Sequence, residues 1–432
     1  MRTIKIPAES AKYYYTENGN TTTIERCTLT LDHEVDRDAL QAALARAART
    51  YVQYGSRLAW KDGYFYYVPN DEPLVVHDTE NEACVLGSAD TNHYLYQVWA
   101  QGTTLGLTQT HGLSDGNSLR GFFRTLLYYY ALELGMEMPA QEAATVVKEG
   151  EVRLPKEDPC QRFGLADVPP RGTPQVGPVF SVPEKFVDED GELVYKRFVI
   201  RVPFAQLRDL ARSAGSRISP LVMALEAQAM AKVWDTSGKA LLGPITNDMR
   251  PLFGVDGVAN FSSWIIAMIP AELTQADLPT QCAAVQQAME MQNTEQGMRA
   301  QLGETLQKAA ARSKMPLEEL FSDEDGRRQA IQVTRQFVFP YVSNVAKFEL
   351  PPSIEHMLKD ITFCVPSFLS TINLTIASAG ETTTMCLTQT FQSDAFCKAL
   401  VEEMRARGLD AQMEDQGTHA APQITPDSVL RL

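Results

Sequence analysis

The chain has 432 residues, enough for two or three domains with substantial cores at roughly 150 residues each. Its 44% hydrophobic and 22% charged residues exclude a disordered or collagen-like chain. A formal charge of −15 at pH 7 repels phosphate backbones and anionic lipid, so neither nucleic acid nor a membrane surface is an expected partner. The longest apolar runs, such as 264–270, fall far short of the roughly 20 residues of a membrane span. The first 20 residues lack the order of a secretory signal, and a cytoplasmic location follows as the expectation. Seven scattered cysteines include no C-x-x-C pair and read as buried free thiols.

Residues 21–31 alternate and are rich in β-branched side chains, predicting a strand. Asp36 or Asp38 then caps a helix whose apolar side is Leu40, Ala43, Leu44, Ala47 and Tyr51. An aromatic run over 63–68 ends at Pro69-Asn70, so this part reads strand, helix, strand. After a strand near 94–99, residues 103–110 alternate so that Leu105, Leu107, Gln109 and His111 project to one face. Leu119, Phe122, Phe123, Leu126, Leu127 and Tyr130 follow with helical spacing, which puts His111 and Asp115 in a strand-to-helix turn.

Prolines crowd the stretch 151–192, which reads as a crossover linker between an N-terminal lobe, 1–150, and a C-terminal lobe, 193–432. The second lobe opens with an alternating strand over 193–202 and a helix near 204–214. Ser219 as N-cap and Pro220 at the first position announce another helix. Strands near 240–247 and 263–269 precede a long helical region over about 275–313. Residues 103–110, TTLGLTQT, recur at 383–390 as TTMCLTQT, identical at six of eight positions. Ser114-Asp115 and Ser393-Asp394 follow the two copies, as expected of two related lobes. Phe391 stands where the first copy has His111.

No phosphate-binding loop, dinucleotide fingerprint, G-x-S-x-G elbow or H-E-x-x-H is present. The histidines show no ligand spacing, so no metal is expected. His111, Asp115 and Gly116 spell H-x-x-x-D-G, a pattern that this composition produces by accident only about 0.02 times. Its bland reading is a capped turn, with Asp115 bonding backbone N–H groups and Gly116 at positive φ.

With this motif the chain resembles the CoA-dependent acyltransferase superfamily: chloramphenicol acetyltransferase, plant BAHD enzymes, bacterial alcohol acetyltransferase-like proteins and condensation domains of peptide synthetases. Further matching stretches are 31–70, Asn247-Asp248-Met249-Arg250-Pro251 with Asn260-Phe261, Val342-Ser343-Asn344 with 348–351, and 371–408. The resemblance implies an α/β (α+β) fold of two chloramphenicol-acetyltransferase-like lobes. Each lobe is a mixed sheet with flanking helices, and the two form a V-shaped pseudo-dimer with a tunnel between them. It implies that His111 is a general base that takes the proton of an attacking hydroxyl or amine, and that Asp115 pairs structurally with Arg250. Ser343 and Asn344 become candidates for the oxyanion or substrate, ahead of Ser262, Ser263 and Thr375. Acyl-CoA is the implied co-substrate, with no permanently bound cofactor, and a monomer acting on a small alcohol or amine is expected. Alternatives are a condensation-type enzyme fed by an acyl carrier protein, and a non-catalytic relative that acts by binding. Thr110 replaces the second histidine common in condensation domains, and the plant D-F-G-W-G stretch has no counterpart. Both departures point to a bacterial alcohol acetyltransferase-like protein.

Overall fold

The structure, a computed structural model, describes residues 3–16, 23–146, 154, 157–165, 177–184, 194–255, 257, 259–322, 340–366 and 371–432. Most of the Pro-rich stretch 151–192 lies outside these residues.

In chain order the strands are β1 (Ile4–Lys5), β2 (Ile24–Leu31), β3 (Ser56–Lys61), β4 (Tyr64–Pro69), β5 (Val76–His77), β6 (Tyr96–Gln101), β7 (Thr104–Thr110) and β8 (Val194–Pro203). They continue with β9 (Leu241–Asp248), β10 (Ser262–Ile269), β11 (Tyr341–Lys347), β12 (Leu358–Cys364), β13 (Ile372–Ala379), β14 (Thr382–Gln389), β15 (Gln412–Ala420) and β16 (Val429–Arg431). They form sheets ordered β12-β2-β7-β6-β5, β1-β4-β3-β16 and β10-β9-β11-β13-β14-β8-β15. Helices α1 (Ala8–Thr16), α2 (Arg37–Thr50) and α3 (Gly116–Glu133) belong to the first part of the chain. Asp36, not Asp38, caps α2 by accepting from Ala39 N at 3.0 Å, and the predicted apolar side, Leu40 to Tyr51, is buried in the first core. A second core gathers around the helices Ile218–Val233 and Ala395–Ala406.

The two larger sheets repeat one topology. In the first, β12 and β2, β2 and β7, and β7 and β6 are antiparallel, while β5 and β6 are parallel. In the second, β15 and β8, β8 and β14, and β14 and β13 are antiparallel, while β11 and β13 are parallel. The sequence repeat falls on the equivalent strands β7 and β14. Thr110 N donates to Leu95 O at 3.1 Å, and Thr390 N donates to Thr371 O at 3.2 Å, so the two copies end alike.

The sheets do not follow the expected division of the chain at 193. β12 hydrogen-bonds to β2 and β16 to β3, so two strands from beyond residue 193 complete the N-terminal sheets. The reason is edge satisfaction: β2 and β3 would otherwise present unpaired backbone groups. β12 also lies along the second sheet, where Asp360 accepts from Thr384 Oγ1 at 2.8 Å and Val365 O from Thr388 Oγ1 at 2.9 Å.

Two expected helix boundaries are corrected. Helix Ile218–Val233 starts before Ser219, with Arg217 at its N-cap, and the Ser219 hydroxyl accepts from Asn344 Nδ2 at 3.1 Å. The region 275–313 is two helices, Leu278–Gln292 and Glu295–Arg312, because the Thr294 side chain caps the second by accepting from Gly297 N at 3.1 Å.

Candidate active site

β7 is buried along almost its whole length and delivers His111 to the turn at its end. Leu113 N closes that turn on Thr110 O at 3.1 Å. Asp115 then caps α3, its Oδ1 accepting from Ser118 N at 3.0 Å. Gly116 opens the helix and is not at positive φ. Its lack of a side chain has another cause: a Cβ there would lie 2.4 Å from Val345 Cγ1 on β11. At Gly112 a Cβ would meet the Tyr14 ring at 2.2 Å. Both glycines therefore let other elements close onto the loop.

The loop is pinned from the second half of the chain. Asn260 Nδ2 donates to His111 O at 2.6 Å, and Phe261 N donates to Asp115 Oδ2 at 2.9 Å. Arg250 Nη2 reaches Asp115 Oδ1 and Oδ2 at 3.1 and 2.9 Å, Ser118 Oγ at 2.9 Å and Ala259 O at 2.5 Å. Arg250 Nη1 also pairs with Asp248 at 2.9 Å. Burial would raise the Asp115 carboxyl, but the Arg250 guanidinium and the N–H groups of Phe261 and Ser118 hold it below the ordinary carboxylate range. Asp115 is thus a fully engaged structural ion that has no lone pair left for a substrate.

His111 Nδ1 lies 3.1 Å from Ser114 O. A carbonyl cannot donate, so the neutral imidazole carries its proton on Nδ1 and leaves the Nε2 lone pair free. Tyr13 of α1 stacks on the imidazole, with ring centroids 4.0 Å apart and planes 19° apart. Burial pushes the imidazole down to about 4, partly offset by the negative charge of Asp115. A base with this environment is uncharged and available at neutral pH.

Ser343 and Asn344, paired in the sequence reading, are placed differently. Val342 is buried in the second core, so Tyr341 and Ser343 take the opposite face of β11, in the direction of Val345 and the Gly116 turn. The Ser343 hydroxyl touches only Thr246 Oγ1, at 3.4 Å, among the described residues. The Asn344 amide is occupied by Ser219 and by Ala346 N, so it braces the strand and is withdrawn as an oxyanion candidate. Ser263 bonds Met298, and Thr375 is buried within its sheet. Ser262 interacts with the Tyr13 phenol next to His111.

Sequence reasoning missed Tyr13 and Glu25, whose Oε1 is 3.4 Å from His111 Nδ1. The Glu25 contact follows from the register that sets it opposite Gln109, one residue short of the β7 end. Among the described residues no group of three or more His, Cys, Asp or Glu side chains is arranged to hold a metal ion. No helix among them is long and apolar enough to cross a membrane.

No family model and no curated protein matches the chain. Solved structures do. The trichothecene 15-O-acetyltransferase of Fusarium sporotrichioides superposes with a TM-score of 0.59 at 12% identity, covering 94% of this chain and 95% of that one. TRI101 of the same fungus, solved with coenzyme A and T-2, gives 0.57 at 13% identity over 93% and 97%. The epimerization domain from the third module of tyrocidine synthetase B gives 0.56 at 12% identity over 94% and 95%. The chain therefore has the two-lobed, mixed α/β chloramphenicol-acetyltransferase-like fold that these acetyltransferase and peptide-synthetase structures share.

Proposed function

We propose that the protein is an acyltransferase that moves an acyl group from a CoA thioester to a hydroxyl or amine of a small acceptor, with His111 as general base. The observation that carries this reading is the His111 tautomer: Nδ1 is committed to Ser114 O, so Nε2 is free to take a proton. Likeness in fold to acetyltransferases, one of them solved with coenzyme A, supports the choice of donor.

In this mechanism the acceptor's proton passes to Nε2 as its oxygen or nitrogen attacks the thioester carbonyl. The same proton is then delivered to sulfur as the C–S bond breaks. Ser343 is the candidate donor to the developing oxyanion, its hydroxyl accepting from Thr246 Oγ1 at 3.4 Å while its own proton has no acceptor among the described residues. Asp115 and Arg250 hold the turn rigid, and Gly116 admits β11.

The test is a thiol-release screen of acyl-CoAs of increasing chain length against pooled small alcohols and amines. Acceptor-dependent release of free thiol by at least one pair is expected. Absence of release across the panel, with the protein folded, argues for a binding role.

A further inference from the structure

Beside His111 stands a buried acid that the mechanism above does not use. Glu25 lies on β2 opposite Gln109 and is 2% exposed. Gln109 Nε2 donates to Glu25 Oε2 at 2.9 Å and approaches Ser114 Oγ at the same distance. Tyr54 OH fixes the other end of that amide, donating to Gln109 Oε1 at 2.6 Å. The free carboxyl oxygen, Oε1, is thereby directed to His111 Nδ1 at 3.4 Å. Among the described residues, the other charged and titratable groups facing the pair are Lys12 and Tyr13 on α1, Cys27 on β2, Tyr54, Asp115 at the start of α3 and Tyr341 on β11. Lys12 is already paired with Glu9, and Asp115 with Arg250.

The second lobe supplies an internal comparison. Gln389 there is opposite Lys196, as Gln109 is opposite Glu25. Phe391 takes the place of His111. One lobe keeps both carboxyl and imidazole, and the other keeps neither.

We propose that Glu25 is a positioning residue for His111: its carboxylate beside Nδ1 makes the imidazolium formed during transfer one half of a pair without net charge. This rests on His111 being the base. An imidazolium created alone in a buried site carries a large desolvation cost, which an adjacent carboxylate offsets. As the acceptor's proton reaches Nε2, the Nδ1 proton stays in place, shared between Ser114 O and Glu25 Oε1. When that proton leaves with the thiolate sulfur, the pair returns to its starting charge. Burial raises the Glu25 carboxyl and lowers the imidazole, so each group alone resists ionisation. Together they take up one proton as a unit, at a higher pH than the imidazole would by itself.

The test is an NMR titration of the His111 ring resonances, identified by their absence in His111→Ala, in wild type and in Glu25→Gln. In wild type the ring should report proton uptake at least about 1 pH unit above its value in Glu25→Gln. Glu25→Asp should recover part of that difference. Where a transfer activity is in hand, the acid limb of the Glu25→Gln rate profile should move to lower pH and its plateau fall about 10- to 100-fold. Superimposable titrations in wild type and Glu25→Gln overturn the proposal. So does a wild-type ring whose charging leaves the Glu25 side-chain carboxyl resonance unmoved, a result that stands even if the glutamine variant does not fold. Retention of transfer by His111→Ala would instead defeat the functional reading, and leaves the titration result unaffected.

Discussion

Arg250 clasps Asp115 across 135 residues of sequence, one guanidinium nitrogen lying within 3.1 Å of both carboxylate oxygens. Their side chains are 10% and 4% exposed, so the pair is shielded from water. Removing one partner from such a pair costs about 3–5 kcal/mol, because the other charge stays buried. Arg250→Ala and Asp115→Asn should each lower the free energy of unfolding on that scale in denaturant titrations at pH 7. Asp115 titrates below its unfolded value, so its contribution is present above roughly pH 3.9 and is lost as pH falls through the folded value. The penalty of Asp115→Asn should therefore shrink on acidification below pH 4. Unchanged stability of both variants at pH 7 would show the pair to be energetically idle.

Gly116 makes a different kind of contact between the halves of the chain. Its backbone is helical, so alanine is acceptable to α3, yet the added Cβ runs into Val345. Overpacking of this kind typically costs about 1–3 kcal/mol. Gly116→Ala should be destabilised by that amount, and Val345→Ala should restore most of it in the double variant. An additive double variant would mean that β11 and the turn do not press on each other.

How much of this was legible in the sequence depends on the range of each interaction. The H-x-x-x-D-G turn and the apolar stripes of α2 and α3 are local and legible directly, whereas the α2 cap is narrowed by sequence only to Asp36 or Asp38 and the Asp115 cap stands only as the bland reading of the motif. The repeat at 103–110 and 383–390 was legible as well, and the strands it marks are topological equivalents. Glu25 and Tyr13 were not, since β2 and α1 reach His111 only through sheet register and helix docking. Pairing of β12 and β16 with early strands left no local mark, because a strand's partner is chosen by edges elsewhere. Ser219 misled because the Ser-Pro cue fits a cap, whereas here the hydroxyl serves Asn344.

The second lobe offers a negative prediction. Phe391 is 1% exposed and packs edge-on against Trp234 at 6.0 Å. Phe391→His should give no second activity, because Lys196 stands in the place of Glu25 and the side chain at 391 is enclosed in the second core. The same change should lower stability by about 1–3 kcal/mol, since it buries a polar ring in an apolar cluster. His111→Ala combined with Phe391→His should be as inactive as His111→Ala alone, measured with the same donor and acceptor.

The central claim is that Nε2 of His111 removes the acceptor's proton, and the most direct measurement compares acyl transfer by wild type and His111→Ala at matched fold stability. Loss of about 10²–10⁴-fold in turnover, with the fold retained, is the predicted result. Transfer by His111→Ala at the wild-type rate would contradict it.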